Sequence, residues 1–462
     1  MPDGAMPPPA LTMRLAEWLT ALRPADVPEP VAAAIRRLTL DTMGASLHGM
    51  PQPWSQAIAR WALAAAPGEA PRGRARIWGA PRAVLRAADA ALVNGAAAHA
   101  FELDDFHNAK LHPGAVVVPA ALALGEALEA DGLAVQTAIV AGYEVMIRVA
   151  LALGPAAAKA RGWHLTAVCG TFGAAAAAAK LLGLDATRTS WALGLAGTQS
   201  GGLFAFTADG TDSKRLHPGR AAQAGIMAAE LAAEGLSGPT QIFEAADGGF
   251  LRAFVDAPVA ARLVDRLGSH WHAAETNFKP HACCGSVHAH VDAAIALRQA
   301  WDGGAVRAGL AGLVMQQCGF PYAAGSALNA QMSARYCVAV ALLDGAALPA
   351  QFEAARIADP ALTALAERVQ LVHETAHDAI YPGRFCGWVE VETAPGQWQR
   401  REMLDPSGSP QNPEMAAALA RKFHHLVDPI LGAAGAAALA AACEAMPAHR
   451  ARDIVARSVP CA

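Results

Sequence analysis

Three stretches of this chain, residues 115–131, 166–182 and 219–234, are almost uncharged on most faces and built from small apolar residues. A helix that is apolar all round has no side to offer to water, so it must be buried inside a large bundle. Alanine favours helix over sheet, and small side chains let helix axes approach closely. Each stretch follows a polar turn that carries histidine. The turns are Glu102-Leu103-Asp104-Asp105 through His112-Pro113-Gly114, Gly162-Trp163-His164-Leu165-Thr166, and Asp212-Ser213-Lys214-Arg215-Leu216-His217-Pro218-Gly219. A fourth turn of this kind runs from Lys279-Pro280-His281 through Gly285-Ser286-Val287-His288. Helix starts expose unpaired N–H groups and the positive end of the peptide dipole, which attract carboxylates and phosphates. Histidine moves its proton most easily near neutral pH. The combination predicts an enzyme that holds a polyanion and shuttles protons on it.

At 462 residues the chain is long enough for two domains. It is 54% apolar and 16% charged, and its formal charge of -4 argues against a nucleic-acid surface. No charge-free apolar run reaches about eighteen residues, so no membrane span is expected. Met1 to Pro9 is proline-rich, lacks a signal pattern and is expected to be a loose tail. The eight cysteines show no disulfide spacing, which points to a reducing cytoplasm.

From about Leu11 to Ala261 the pattern is helical, punctuated by Gly and Pro clusters. The texture changes near Asn277. Residues 305–320 and 384–393 read as strands, the second alternating from Trp388 to Glu392, with a helix at 328–343 between them. Helical patterning returns after Pro406, at 415–426 and 433–445. The expected fold is mainly α: a large all-helical domain from residues 1–272 and 402–462, interrupted by a smaller α+β domain at 273–401. A ligand is expected in the cleft between two such domains.

Lys214, Arg215 and His217 at a helix start favour an anion site over a merely solvated basic loop, with Lys214 the expected contact. Asp212 or Ser213 is expected to cap that helix. Glu102, Asp104 and Asp105 repel one another, so one should be protonated or paired to a cation; the bland alternative is a capping loop. His164, between Trp163 and a Thr166 cap, reads either as a core histidine or as a neutral acid–base group at a helix mouth. Cys283, Cys284, His288 and His290 could bind a soft metal, but their spacing matches no standard zinc pattern. Lys279 and His288 fit better as substrate-facing groups, and Tyr336 could place a phenol in the cleft or simply pack in a core. Nucleotide-binding and nucleophile-elbow motifs are absent in a strand-to-helix setting.

Taken in order, these segments resemble the MmgE/PrpD family. The resemblance rests on Asn94-Gly-Ala-Ala-Ala-His99 leading into Glu102-Leu-Asp-Asp105, His112-Pro113, Gly162-Trp-His-Leu-Thr166 and Gly173 with its alanine run. It continues through Ser213-Lys-Arg-Leu-His-Pro-Gly219, Phe278-Lys-Pro280 to His288, and Ser333-Ala-Arg-Tyr336 to Leu-Leu-Asp-Gly345. It implies a homodimer with a helical domain and a smaller lid, and no cofactor; the site residues are expected to hold no metal. It also implies reactions on di- and tricarboxylates: dehydration of methylcitrate, decarboxylation of cis-aconitate, or epimerisation of iminodisuccinate. By resemblance, Glu102, His112, His164, Lys214, His288 and Tyr336 would line the pocket. Two positions depart from the decarboxylase pattern, Glu102 standing for aspartate and Phe106 for threonine.

The expected activity is therefore a cofactor-free lyase or isomerase acting on a small polycarboxylate. Lys214 would grip carboxylates, helped by Arg215 or Lys279, with Asp104, Phe106, His288 and Cys284 further lining the site. His112 or His164 would move a proton at the carbon beside a carboxylate, with the other histidine, Tyr336 or Glu102 supplying the second acid–base group. Dehydration ranks first because the lid segment His281-Ala-Cys-Cys-Gly-Ser resembles MmgE-like members, followed by epimerisation and then decarboxylation. A carboxylate-binding scaffold without catalysis is the alternative from another class.

Overall fold

The computed structural model describes residues 10–64, 74–80, 83–208 and 210–460, so the tail expected at Met1 to Pro9 lies outside the described residues. The chain divides into two compact units. The first comprises Met1–Ala100, Ala109–Thr276 and Phe423–Ala462. Among the described residues it is helical apart from its turns, isolated bridges and one antiparallel ribbon, Arg74–Arg76 with Val84–Arg86. The three apolar stretches are helices at Gly114–Ala127, Leu165–Leu181 and Ser213–Ala233. The Leu165–Leu181 helix packs against the other two and against Gly132–Leu153, and its residues Leu165 to Ala179 are all buried.

Glycine sets how closely these helices cross. A Cβ on Gly219 would lie 2.1 Å from the Leu92 carbonyl oxygen, so the Ser213–Ala233 and Ala87–Ala98 helices touch backbone to backbone. At the next crossing a Cβ on Gly225 would lie 2.4 Å from the Ala174 Cβ of the Leu165–Leu181 helix. Contacts this close explain why alanine and glycine crowd the sequence: larger side chains would part the helices that carry the histidine turns.

Two local expectations change. The third helix begins at Ser213 rather than at residue 219, so Lys214, Arg215 and His217 lie inside its first turns. Asp212 occupies the cap position without a side-chain cap bond, and Pro218 falls inside the helix, where it supplies no N–H. Thr166 does not cap the Leu165–Leu181 helix either, because His164 holds the cap position. Two helices have the length and apolarity that a membrane span would need, by length and composition only. Gly132–Leu153 is 89% buried in its apolar window, and Met415–Glu444 is broken at Gly432, where φ is 72°.

The second unit comprises Phe101–Asn108 and Asn277–Lys422. Its four-stranded sheet runs in the order Gln370–His373, Val306–Leu310, Gly387–Ala394, Gln397–Met403; the first pair is parallel and the others antiparallel. Ala308 pairs with Val389, and Val389 with Arg401. The His288–Leu297 helix packs on this sheet and on the Ala334–Asp344 helix. The strand expected over 305–320 stops at Leu310, and Gly312–Cys318 is helix. The helix expected over 328–343 is two helices, Ala327–Met332 and Ala334–Asp344, divided at Ser333, whose hydroxyl caps the second.

The unit boundaries also differ from the expected 273 and 401. The second unit runs from Asn277 to Lys422 and takes in the distant segment Phe101–Asn108. That segment is tied by Phe106 and Asn277, whose backbones exchange two hydrogen bonds of 2.9 and 2.8 Å. The Phe101 carbonyl accepts from the Gln331 amide at 3.1 Å, and the Leu103 carbonyl accepts from the Lys422 ammonium.

Gly219→Ala should destabilise the protein by about 1–3 kcal/mol through overpacking. Urea unfolding should show a lowered midpoint, and an unchanged one would mean that the Leu92 contact can relax without loss.

Candidate active site

In the first unit four imidazoles form a row. His99 stands at the end of the Ala87–Ala98 helix, fully buried, with its carbonyl accepting from Arg215 Nη1 at 3.3 Å. His112 lies 4.8 Å from His99 between ring centroids, and its backbone N–H donates to the Thr166 hydroxyl at 3.2 Å. Thr166 therefore binds the His112 turn to the neighbouring helix. His164 heads the Leu165–Leu181 helix, its ring 5.9 Å from that of His99 and 97% buried. Its backbone N–H donates to the Gly202 carbonyl at 3.0 Å. His217 closes the row, its Nδ1 2.8 Å from His164 Nδ1. Phe204 and Phe206 wall His164 at 5.6 and 5.5 Å, edge to face.

Lys214 sits one turn from His217 on the same helix, buried, with Nζ 6.0 Å from the Phe206 ring centroid. Burial, with the Lys214 charge adding to it, pushes the His217 pKa down to about 4, so His217 is neutral at physiological pH. His112, His164 and Lys214, from three separate stretches of sequence, thus belong to one neighbourhood of the first unit, His164 and Lys214 buried and His112 half-buried. Arg215 is also buried, but its guanidinium is turned to the His99 carbonyl and lies 5.6 Å from the Trp54 ring. That bond ties the Ser213–Ala233 helix to the end of the Ala87–Ala98 helix.

The other expected residues lie in the second unit. Glu102 and Lys279 form an ion pair of 2.8 Å with both side chains nearly inaccessible. Lys279 thus supplies a cation to the acidic cluster, at Glu102. Glu102 has φ of 56°, a left-handed backbone that non-glycine residues adopt only where the surroundings hold them. Asp104 and Asp105 are fully buried in the same segment. Phe106 packs edge-on against Phe385 at 4.9 Å and lies 6.3 Å from His288. A Cβ on Gly285 would meet its ring at 2.8 Å.

His288 is fully buried and directs Nε2 at the Cys283 carbonyl, 3.3 Å away. Burial, then the charges of His281 and Lys279, hold it neutral. His290 likewise points Nε2 at the Gly309 carbonyl, 2.8 Å away. Cys284 is half-buried, with its N–H bonded to the Gln331 carbonyl at 2.9 Å. Among the described residues Cys284, His288 and His290 do not converge as a ligand set. Tyr336 departs from the acid–base role expected of it: its hydroxyl donates to the Gln351 carbonyl at 2.5 Å within a cluster with Tyr322 and Phe352. That geometry makes it a packing residue.

Sequence reasoning missed His99, and it treated His217 only as part of an anion-binding turn. His99 ends an apolar helix and carries no local signal of chemistry. His217 could have been found from its fixed offset from Lys214, once the helix was seen to begin at Ser213.

A row of imidazoles beside a buried lysine, on a scaffold of close-packed small-residue helices, defines an acid–base enzyme for an anionic substrate. Residues 13–262 match the MmgE/PrpD N-terminal domain and residues 281–446 the MmgE/PrpD C-terminal domain. The chain is 32% identical over 425 residues to a cis-aconitate decarboxylase-like protein of Aspergillus oryzae, covering 86% of each chain. It is 30% identical to a cis-aconitate decarboxylase of Aspergillus terreus over 86% of this chain and 85% of that one. With human cis-aconitate decarboxylase it shares 33% identity over 51% of this chain and 48% of the relative. The chain belongs to the MmgE/PrpD family and is an enzyme of that family, with lyase chemistry.

Replacing Lys279 by Ala removes one partner of a buried ion pair with Glu102, which should cost about 3–5 kcal/mol. Equilibrium unfolding of the variant tests this, and a loss below about 1 kcal/mol would show the pair to be dispensable. A second expectation concerns pH. Burial pushes the pKa values of His48, His217 and His290 down to about 4, against 6.5 in the unfolded chain. The unfolded state binds more protons between those values, so stability present above about pH 6.5 is lost as pH falls toward 4. Urea midpoints should be lower at pH 5 than at pH 7; equal midpoints would refute it.

Proposed function

We propose that this enzyme is a cofactor-free lyase of a small tricarboxylate and that proton transfer by His112 and His164 carries the reaction. The observation that bears most weight is that His112 and His164 both flank the ring of His99, with Lys214 one turn from the His217 that meets His164. The curated relatives change the order of candidate reactions. Dehydration ranked first on the His281-Ala-Cys-Cys-Gly-Ser segment; relatives that cover more than four-fifths of the chain and are named cis-aconitate decarboxylases put decarboxylation first.

In that reaction Lys214 binds a carboxylate that stays on the substrate. The departing carboxylate leaves as carbon dioxide, and its bonding electrons pass to the remaining carbon skeleton. A protonated histidine then returns one proton to carbon. Charge builds on the remaining carboxylates as the bond breaks, so a nearby lysine stabilises the transition state more than the bound substrate. Dehydration of a 2-methylcitrate-like acid uses the same groups, with one histidine taking the carbon-bound proton and another protonating the leaving hydroxyl. Phe106 favours this second reading, since an aromatic ring stands where the decarboxylase pattern has a hydroxyl.

His112→Ala and His164→Ala should each lower turnover by about 10²–10⁴ with the fold retained. Lys214→Met should raise KM as well as lower kcat. Purified enzyme in deuterated water with cis-aconitate and 2-methylcitrate separates the readings: decarboxylation releases carbon dioxide and leaves one deuterium on product carbon, while dehydration releases none. Full activity in both histidine variants, or no reaction with any polycarboxylate offered, would overturn the proposal.

A further inference from the structure

The proposed chemistry does not yet use the 2.8 Å approach of His164 Nδ1 to His217 Nδ1 in the first unit. Two ring nitrogens at that distance must share a proton: two lone pairs would repel, and so would two N–H groups. The contact therefore fixes the tautomer of each ring relative to the other. We propose that His217 is a positioning residue for His164, accepting a hydrogen bond from His164 Nδ1–H, so that His164 meets substrate through a bare Nε2. This rests on the reading of His164 as an acid–base group and names what orients it.

Three observations give the bond its direction. His217 is held neutral, by burial first and by the Lys214 charge second, so it is able to accept rather than obliged to donate at both nitrogens. His164 stands at the head of the 17-residue Leu165–Leu181 helix, whose positive end opposes an imidazolium there. A neutral acceptor on Nδ1 offsets that opposition when Nε2 takes up a proton. Only this arrangement keeps the same hydrogen bond in both protonation states of His164: Nδ1–H donates to His217 before and after Nε2 is protonated. The reverse arrangement, with His217 donating, must break each time His164 becomes an imidazolium.

The surroundings hold the pair in register. Phe206 lies edge-on to both rings, 5.5 Å from His164 and 6.0 Å from His217. A Cβ on Gly202 would lie 3.7 Å from the His217 ring, and the Gly202 carbonyl accepts the His164 backbone N–H. Titratable groups near the pair include Lys214, from the same helix as His217, and His99, whose ring is 5.9 Å from that of His164. His217, a neutral imidazole, takes the orienting place that a carboxylate fills in many acid–base sites.

The test uses the intact enzyme labelled with ¹⁵N-histidine. The His164 resonances, identified by their loss in His164→Gln, should show a protonated Nδ1 and a bare Nε2. The opposite tautomer would overturn the proposal while leaving the family chemistry untouched. His217→Ala should lower kcat by about 10–100-fold with little change in KM, the scale typical for loss of an orienting partner. It should also give mixed His164 tautomers. His217→Asn places an amide oxygen near the lost Nδ1, so it should restore the Nδ1–H tautomer and most of the turnover. Should His217→Ala keep full kcat, or His217→Asn rescue neither the spectrum nor the rate, the positioning role is wrong. If His164→Ala itself stays active, the fault lies in the proposed function, and the spectrum still reports on the pair.

Discussion

Close contact between helix backbones is the condition for everything else in the first unit. The Gly219 approach to Leu92 and the Gly225 approach to Ala174 seat the Ser213–Ala233 helix against two neighbours at once. That seating brings His217, with Lys214 one turn away, to His164, and the His99 carbonyl to the Arg215 guanidinium. The histidine row is therefore a product of helix spacing. None of its members is neighbour to another in sequence, and a side chain added at either glycine would move the row before it touched any of them.

Polar groups sunk this deep are tolerable only because they answer one another. His217 stays neutral beside Lys214, Arg215 is turned to a backbone carbonyl, and Glu102 is matched by Lys279. A buried charge left alone would cost several kcal/mol, so these pairings are conditions of folding as much as of chemistry. Water is kept from His164 by Phe204 and Phe206, which strengthens electrostatic effects on any bound anion.

Much of this was legible in the sequence. All-round apolar stretches named the buried helices, and alternation from Trp388 to Glu392 named a central strand that the sheet contains. The histidines at 112 and 164 and the lysine at 214 stood out because polar residues interrupt apolar runs there. What could not be read were the relations between distant residues. Lys279 finds Glu102 across 177 positions, and no local pattern encodes that distance. Tyr336 looked like a cleft phenol because its sequence neighbours are polar, yet its hydroxyl reaches the Gln351 carbonyl inside an aromatic cluster. The helix start at 219 was misplaced because Pro218 resembles a first-turn proline, whereas the helix runs through it from Ser213.

The eight-residue segment Phe101–Asn108 has an evolutionary corollary. It belongs to the second unit, yet it is encoded far upstream, between residues of the first. Genetic recombination near codon 277 would join one ancestor's Phe106 and Glu102 to another's Asn277, Lys279 and Gly285. Those residues share a backbone ladder, an ion pair and a ring-to-glycine contact. Halves of this gene are therefore poorly exchangeable between lineages, and its two regions are bound to drift together.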